Sequence, residues 1–277
     1  MAKPFLKWAG GKTALLPELL SRVPTSFNRY HEPFLGGGAM FFALSERLQG
    51  PSLAGKAKAY LSDLNEELIT TYYEVQTRPG LVCDGLSDLA TRHSEDLYQR
   101  VRDVDPRNTV PTGVAIRMIY LNKSGFNGLY RVNKSGKFNV PWGKRKKFNV
   151  DYDGIYAAGR ALKSVILSTL AFDKALEFVK GGDFVYFDPP YFPVSDTSNF
   201  ASYTKEGFGR MSQQILADEL VKLNRRGAKF MLSNADTPEA RALYNGWHIE
   251  SVEAPRRISA KNSGREPVRE LIVRNYQ

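Results

Sequence analysis

The stretch Tyr30-His31-Glu32-Pro33-Phe34-Leu35-Gly36-Gly37-Gly38 decides how this chain folds. Its first three residues predict a short β-strand, and the three consecutive glycines let the backbone turn tightly and approach a ligand closely. The residues from Ala39 to Leu48 predict a helix, whose first N–H groups are free to bind a polar or anionic group. A strand, a glycine turn and a helix in this order are typical of a nucleotide-binding α/β sheet.

A second strand, predicted over 57–61, leads to an acidic residue, Asp63, which is followed by a helix predicted over 65–76. An acid at the end of this strand could accept hydrogen bonds from both ribose hydroxyls of a nucleotide cofactor. Asp63 could equally be the N-cap of the helix that begins before Glu66. Both interpretations remain open, and the glycine turn lacks the third glycine of the dinucleotide-binding fingerprint after Gly38.

The α/β alternation resumes in the last part of the chain after a long interruption. Between Arg78 and Asp151 the prolines, asparagines, glycines and lysines show no sustained period, which predicts an inserted, loop-rich module. The leucines at 15, 16, 19 and 20 have helical spacing. Further elements are predicted as strands over 165–170, 184–187 and 229–233, a helix over 212–225, and a final hairpin of strands 247–252 and 270–273.

The charge of the chain favours a polyanionic partner. The 277 residues carry a formal net charge of +10, and lysines and arginines that neutralise phosphates gain affinity by releasing counterions. Basic residues also cluster between aromatic ones, although such a run is compatible with a solvated face as well as with nucleic-acid binding. The cluster comprises Lys134, Lys137, Lys144, Arg145, Lys146 and Lys147 with Phe138, Trp142 and Phe148.

Several classes of protein are excluded by what the sequence lacks. One cysteine, Cys83, excludes an internal disulfide, and three scattered histidines show no metal-ligand spacing, so we expect no metal. No signal peptide or run of about 18 apolar residues occurs, which predicts a cytoplasmic protein without a membrane anchor. The segment Ala9-Gly10-Gly11-Lys12-Thr13 is not a P-loop, because position 6 is leucine where a glycine is required.

The segment Asp188-Pro189-Pro190-Tyr191 follows the apolar strand predicted over 184–187. The prolines fix the backbone and remove two N–H donors, so the motif offers a carboxylate, a rigid carbonyl and an aromatic ring at a strand end. Asp188 and the Pro189 carbonyl could accept both hydrogens of an amino group on a planar base, while Tyr191 stacks on the ring. The competing interpretation is a rigid turn without a ligand.

With these residues identified, the chain resembles the Dam-type family of DNA adenine-N6 methyltransferases, the D12 class alpha group, whose catalytic tetrapeptide is Asp-Pro-Pro-Tyr. The resemblance covers nearly the whole chain in family order. The matching segments are FLKWAGGK at 5–12, EPFLGGGAMF at 32–41, SDLNEEL at 62–68, YLNKSGFNGLYRVNKSGKFNVPWG at 120–143, DPPY at 188–191 and LSNADT at 232–237.

The resemblance implies a Rossmann-like methyltransferase sheet that binds S-adenosyl-L-methionine (AdoMet) and releases S-adenosyl-L-homocysteine. It implies a catalytic domain formed by residues 1–65 and 156–277. The insert, residues 66–155, would be a mainly helical target-recognition domain with a β-hairpin. By this resemblance the cofactor contacts are Trp8, Lys12, Phe34, Gly36, Gly38, Asp63, Phe172 and Asp188. Family members tend to carry Asp-Phe at the adenine contact, whereas this chain reads Ala171-Phe172-Asp173, which displaces the acid by two residues.

The resemblance also implies residues that contact DNA. Arg131 would bind a guanine edge, Leu129 and Pro141 would touch a thymine methyl group, and a group at the tip of the hairpin would fill the gap left by an extruded base. These residue types match relatives that read GATC. For the outer base of the site, Arg145 stands where those relatives carry a tyrosine, and Lys7 is the other candidate to contact that base. The implied DNA contacts are Lys7, Asn122, Phe126, Asn127, Leu129, Arg131, Pro141 and Arg145. For the asparagines at 122, 127, 133 and 139, turn formation is the alternative role, and it is favoured for Asn133.

We therefore expect an enzyme that methylates N6 of adenine in duplex DNA by base flipping at GATC, without metal. It would be of bacterial or phage origin, act as a monomer or as two copies on a palindromic site, and belong to a restriction-modification system or stand alone. Cytosine-N4 methylation, adenine methylation at another short site, RNA or protein methylation and non-catalytic DNA binding remain as alternatives.

Overall fold

The computed structural model describes residues 2–48, 58–133, 135–191, 208–254 and 268–277. Within these ranges the chain forms two compact units, each assembled from separate stretches of sequence. The first unit comprises Met1–Gly11, Gly36–Ala57 and Asp63–Thr169, and the second comprises Lys12–Leu35, Lys58–Ser62 and Leu170–Gln277. The predicted division into residues 1–65 with 156–277 and residues 66–155 remains a prediction.

The second unit is built on a mostly parallel sheet. Its strands are β1 Tyr30–Glu32, β2 Ala59–Asp63, β4 Phe184–Phe187, β5 Lys229–Ala235, β6 His248–Ala254 and β7 Val268–Arg274. Strand β1 pairs in parallel with β2 and with β4, and β4 pairs in parallel with β5, whereas β7 pairs antiparallel with β5 and with β6. The spatial order within this unit is therefore β2-β1-β4-β5-β7-β6.

Strand β4 lies in the middle of this sheet because all four of its residues, Phe184–Phe187, are apolar and buried. Parallel strands covered on both faces have such uninterrupted apolar runs. One face of the sheet packs against helix α9, where Leu216, Leu220 and Leu223 join the buried core. The helices of this unit are α1 Leu16–Ser21, α8 Phe172–Ala175, α9 Arg210–Arg225 and α10 Pro238–Leu243.

The first unit is mainly helical. Helices α3 and α6 pack together, and α4, α5 and α7 pack around them. Val82, Leu86 and Tyr98 are among its fully buried side chains. Its elements are α2 Ala39–Leu48, α3 Glu66–Thr77, α4 Pro79–Thr91, α5 Glu95–Asp103, α6 Pro111–Ser124, α7 Tyr152–Leu162 and strand β3 Val165–Thr169.

The predicted α/β fold class is confirmed, and the strand Phe184–Phe187 and the helix Ala39–Leu48 have the predicted bounds. The prediction of a loop-rich segment over 78–151 was wrong, because three helices lie within it. Pro79 and Pro111 occupy the first turns of α4 and α6, where the missing N–H costs nothing, so they start helices instead of breaking them. Strand β2 begins at Ala59 and continues to Asp63, two residues beyond the predicted end.

Candidate functional site

The segment Asp188-Pro189-Pro190-Tyr191 leaves the carboxyl end of β4, as predicted, and its acid meets a lysine. Asp188 Oδ1 lies 2.7 Å from Lys12 Nζ, and the same ammonium donates a 2.7 Å hydrogen bond to the Tyr191 hydroxyl. Lys12 is 5% exposed and Asp188 is 21% exposed. The first and last residues of the tetrapeptide are therefore held by one buried cation in the second unit.

The surroundings of Asp188 control its charge. Burial raises the pKa of Asp188, and the Lys12 ammonium and a hydrogen bond from Ser233 oppose that rise. The Ser233 Oγ lies 3.4 Å from Asp188 Oδ1 and 2.9 Å from the Tyr186 hydroxyl. Burial followed by the charges of Asp188 and Glu270 raises the pKa of Tyr191, so its phenol is protonated at neutral pH. Asp188 is thus a largely buried hydrogen-bond acceptor whose neighbours are the Lys12 ammonium and the Ser233 hydroxyl.

The two prolines of the segment have different surroundings. The Pro190 carbonyl accepts a 2.8 Å hydrogen bond from the amide of Gln213, a buried residue of α9, whose Oε1 in turn accepts from the Tyr244 hydroxyl. Gln213 therefore fixes the turn from the helix side. Gln213 could not be identified from the sequence, since a lone glutamine in an amphipathic helix gives no signal of this role. The role of the Pro189 carbonyl as acceptor for an amino group remains a prediction.

The predicted cofactor contacts Phe34 and Phe172 lie together in the second unit. Their rings stack with centroids 5.3 Å apart, and both pack edge-on against Phe208. Phe172 opens helix α8 and is 9% exposed, whereas Phe34 is half-buried. The acid displaced to Asp173 is also part of α8. Phe34, Phe172 and Phe208 therefore form an aromatic cluster in this unit, and the contacts of Phe34 and Phe172 with the cofactor remain a prediction.

The glycine turn belongs to the first unit, and both backbone polar groups of Gly36 are hydrogen-bonded to side chains. Asp63 Oδ2 accepts a 3.0 Å hydrogen bond from the Gly36 N–H, and the Gly36 carbonyl accepts from the buried Tyr72 hydroxyl at 3.2 Å. Gly36 and Gly38 have φ values of +46° and +65°, which favour glycine. A Cβ on Gly36 would lie 2.7 Å from Trp8 Cδ1, so the turn lies directly against the indole ring.

The structure excludes one of the two interpretations of Asp63, the helix N-cap, and leaves the ribose contact as a prediction. The side chain of Asn65 caps helix α3 by accepting from the Leu68 N–H, whereas Asp63 Oδ1 accepts from the Asn65 N–H and is not the cap. Burial raises the pKa of Asp63, and the backbone hydrogen bonds from Asn65 and Gly36 oppose the rise. A half-buried acid that orders a glycine turn beside an indole is a suitable element for binding a nucleoside.

The residues predicted to enter DNA include a turn with a strained backbone. Phe126–Gly128 form a 3₁₀ turn in which Asn127 has a φ of +55°, a value uncommon outside glycine. Phe126 is 51% exposed and Asn127 is exposed. The Phe126 N–H donates to the Pro141 carbonyl at 2.9 Å, so the predicted contacts Phe126 and Pro141 are neighbours.

Asn122 has a different position from the other predicted DNA contacts. It is 2% exposed, and its amide makes three hydrogen bonds to the backbone. Its Oδ1 accepts from the Lys7 N–H at 2.9 Å, while its Nδ2 donates to the Lys7 carbonyl at 2.8 Å and to the Gly128 carbonyl at 3.0 Å. Asn122 therefore joins the backbone of Lys7 to the turn that carries Phe126 and Asn127.

Arg131 lies on a hairpin that it helps to close. Its Nε and Nη2 donate to the side-chain and backbone oxygens of Asn139 at 2.7 and 3.0 Å, and the guanidinium is exposed. Leu129 is half-buried at the base of the same hairpin. Asn133 accepts hydrogen bonds from the N–H groups of Ser135 and Lys137, which confirms its predicted role in the turn.

Arg145 is anchored by a histidine that the sequence analysis left without a role. The His93 ring lies between Tyr120 and Trp142, with Nε2 3.1 Å from the Arg145 carbonyl. Burial lowers the pKa of the neighbouring Lys123, and the positive charges of Lys7 and Arg145 lower it further against the opposing effect of Asp151. The two residues predicted to recognise the outer base, Lys7 and Arg145, therefore contribute to one positive field.

The described ranges contain neither a candidate metal site nor a helix that could span a membrane. No group of three or more histidine, cysteine, aspartate or glutamate side chains in these ranges is arranged to hold a metal ion. No helix in the same part of the chain combines the length and apolar character needed to span a membrane.

Comparison with known proteins agrees with the motifs. The family model for D12 class N6 adenine-specific DNA methyltransferases matches residues 8–258. A Type II methyltransferase of Lactococcus lactis subsp. cremoris, M1.LlaDCHI, is 39% identical over 281 residues, which cover 99% of this chain and 95% of the relative. The Type II methyltransferase M.MjaIII of Methanocaldococcus jannaschii is 38% identical over 99% of both chains. A DNA adenine methylase of Haemophilus influenzae is 32% identical, with 98% of this chain and 93% of the relative covered. This chain therefore belongs to the D12 class of N6 adenine-specific DNA methyltransferases.

Proposed function

We propose that this protein transfers the methyl group of AdoMet to N6 of an adenine in duplex DNA, and that its recognition site is GATC. The observation that carries the chemical part is the position of Asp188 and Tyr191 around one buried lysine at the end of β4. The Dam-named relatives, at about one-third identity, support the proposed site, whereas the Type II relatives are more similar to this chain.

The residues of the tetrapeptide perform the chemistry by positioning and electrostatics. AdoMet supplies a methyl group on a sulfonium, which needs no further activation. Asp188 and the Pro189 carbonyl accept the two hydrogens of the N6 amino group, draw the nitrogen toward tetrahedral geometry and stabilise the positive charge that develops on it. Tyr191 stacks on the base. Together these groups would hold the reacting nitrogen in position, and the proton that it loses after methylation would pass to solvent.

Each unit contains described residues whose chemistry suits a contact with AdoMet. In the first unit, glycine at position 36 lets the turn lie against the Trp8 ring, where a side chain would clash, and Asp63 provides a half-buried acceptor beside it. We propose that Asp63 accepts hydrogen bonds from the ribose hydroxyls. In the second unit, we propose that Phe34 and Phe172 contact the adenine of the cofactor and that Lys12 lies near its methionine part.

The exposed residues of the turn Phe126–Gly128 and of the hairpin that carries Arg131 support base flipping. Phe126 and Asn127 protrude on a turn whose backbone is fixed, which suits a group that fills the gap left by an extruded adenine. Arg131 would rotate its guanidinium from Asn139 to a guanine edge, and Leu129 and Pro141 would contact a thymine methyl group. We propose that Lys7 and Arg145 recognise the outer base. The protein acts as a monomer, and two copies serve the two strands of the palindrome.

The central experiment maps the methylated bases. The purified protein is incubated with labelled AdoMet and plasmid DNA free of adenine methylation, and modified positions are determined by single-molecule sequencing. Methylation of adenine within GATC is the expected result. Methylation of adenine at another motif would retain the chemistry and overturn the site. Methylation of cytosine N4, which the same acceptors could support, would overturn the choice of base.

Asn122 provides a test of DNA recognition through Lys7. The Asn122→Ala substitution leaves three backbone groups of Lys7 and Gly128 without their side-chain partner, which should cost at least about 3 kcal/mol of stability, since each buried group left unsatisfied costs about 1 to 3 kcal/mol. We also expect discrimination between GATC and a site altered at the outer base to fall about tenfold, or 1.4 kcal/mol. Thermal unfolding and kcat/KM on the two duplexes measure these effects.

The control is Asn149→Ala, which removes an exposed asparagine from the same unit. It should change neither the melting temperature nor the discrimination. If Asn122→Ala loses stability but still discriminates as the wild type does at a temperature where it is folded, Lys7 does not recognise the outer base.

A further inference from the structure

A second carboxylate reaches the candidate catalytic cluster from the carboxyl-terminal hairpin. Glu270 lies on β7, opposite Ala235 of β5 and Val252 of β6, and it is 9% exposed. Its Oε2 is 3.9 Å from Lys12 Nζ, and among the described residues this oxygen has no hydrogen-bond partner. A buried acceptor without a hydrogen bond is costly, so its place beside an ammonium calls for a functional explanation.

In this structure Lys12 is bound to Asp188 and not to Glu270. The ammonium is 2.7 Å from Asp188 Oδ1 and 2.7 Å from the Tyr191 hydroxyl. In the proposed reaction, however, Asp188 must accept a hydrogen from a nitrogen that becomes positively charged. An ammonium in hydrogen-bond contact with Asp188 competes for that oxygen and repels the developing charge.

Moving Lys12 toward Glu270 removes this conflict at little cost. A displacement of roughly 1 Å would bring Nζ into hydrogen-bond range of Glu270 Oε2, since such bonds measure about 2.9 Å. The cation would remain paired within the buried cluster, and the unsatisfied oxygen would gain a donor. Burial raises the pKa of Glu270, and the Lys12 charge and the Tyr191 hydroxyl oppose the rise, as expected for a carboxylate 3.9 Å from an ammonium.

We propose that Glu270 is a positioning residue that receives the Lys12 ammonium when the amino group of the target base takes its place on Asp188. This inference rests on the proposed function and adds a residue from the far end of the chain to it. Glu270 acts on the reaction through Lys12 and has no contact with the base. Its removal should therefore slow the chemical step more than it weakens binding.

A double-substitution cycle tests this dependence. We expect Glu270→Gln, which keeps the shape of the side chain, to lower the single-turnover rate about tenfold, equivalent to about 1.4 kcal/mol. The dissociation constant for S-adenosyl-L-homocysteine should stay within about threefold, or 0.7 kcal/mol. In a Lys12→Met background, Glu270→Gln should cause no further loss, because residues that act through one another are not additive. The control Glu253→Gln removes an exposed glutamate of β6 and should match the wild type.

A structure of the wild-type protein with S-adenosyl-L-homocysteine and an adenine-containing duplex gives a second measurement that does not depend on turnover. Lys12 Nζ should lie within about 3.2 Å of a Glu270 oxygen, with Asp188 on the amino group. Glu270→Gln turnover equal to that of Glu253→Gln, a full additional loss in the Lys12→Met background, or Lys12 still bound to Asp188 in this complex would overturn the positioning role. If the wild type methylates no adenine in DNA, the proposed function itself fails, and this inference fails with it.

Discussion

Replacing Asp188 by asparagine is expected to lower the rate of methyl transfer on the order of 10³-fold, the loss typical of removing one preorganised electrostatic partner. Asparagine has nearly the same shape, but it carries no charge to stabilise a positive nitrogen. Glu270 remains 3.9 Å from the Lys12 ammonium, so that cation is not left alone in the protein interior. The substitution should therefore remove activity without unfolding the chain.

The measurement is a single-turnover assay with labelled AdoMet and a GATC duplex, combined with thermal unfolding. The control is Asp218→Asn, a neutralised aspartate on the exposed side of α9 in the same unit, which should retain wild-type turnover. Turnover of the Asp188 variant within about tenfold of wild type, a difference of only 1.4 kcal/mol, would contradict the assignment of the catalytic acid.

Replacing Asp63 by alanine should raise the dissociation constant for AdoMet between about 10- and 100-fold. A hydrogen bond to a charged group contributes about 1.5 to 3 kcal/mol, and the substitution also releases the Gly36 and Asn65 N–H groups that order the glycine turn. The effect therefore combines the loss of a contact with a looser turn. Titration calorimetry with AdoMet measures the change directly.

The neighbouring residue supplies the control for this second prediction. Asn65→Ala removes the cap of α3 and should cost about 1 kcal/mol of stability, with AdoMet affinity close to that of the wild type. If Asp63→Ala binds AdoMet as tightly as Asn65→Ala does, the carboxylate serves only to order the turn, and the proposed ribose contact is wrong.

The parts of the fold that depend on local sequence could be predicted. The buried run Phe184–Phe187 is typical of a central strand, so the tetrapeptide that follows it is expected at the carboxyl ends of the parallel strands. The helices after Pro79 and Pro111 were missed because a proline within a polar stretch resembles a break, whereas here it stands in a first turn. Position within an element, more than residue type, decided these cases.

The roles of individual side chains were less predictable where their partners are distant in sequence. Asn122 appeared in a DNA-contacting segment, yet its amide is bound to the backbone of Lys7, 115 residues away. The position of Glu270 near Lys12 results from the pairing of β7 with β5, and the hydrogen bond from Gln213 to Pro190 results from the path of the chain after Pro189. No local pattern announces such contacts, because each is created by tertiary packing.

The hydrogen bonds from Asn122 to Lys7 have a consequence for how recognition can change during evolution. At residue 7, Asn122 binds the backbone N–H and carbonyl and not the side chain, and every amino acid except proline carries both of these groups. The side chain at position 7 can therefore be exchanged while the polypeptide stays in place. If Lys7 recognises the outer base as proposed, a new preference at that base requires only a single codon change, without first having to recover lost stability.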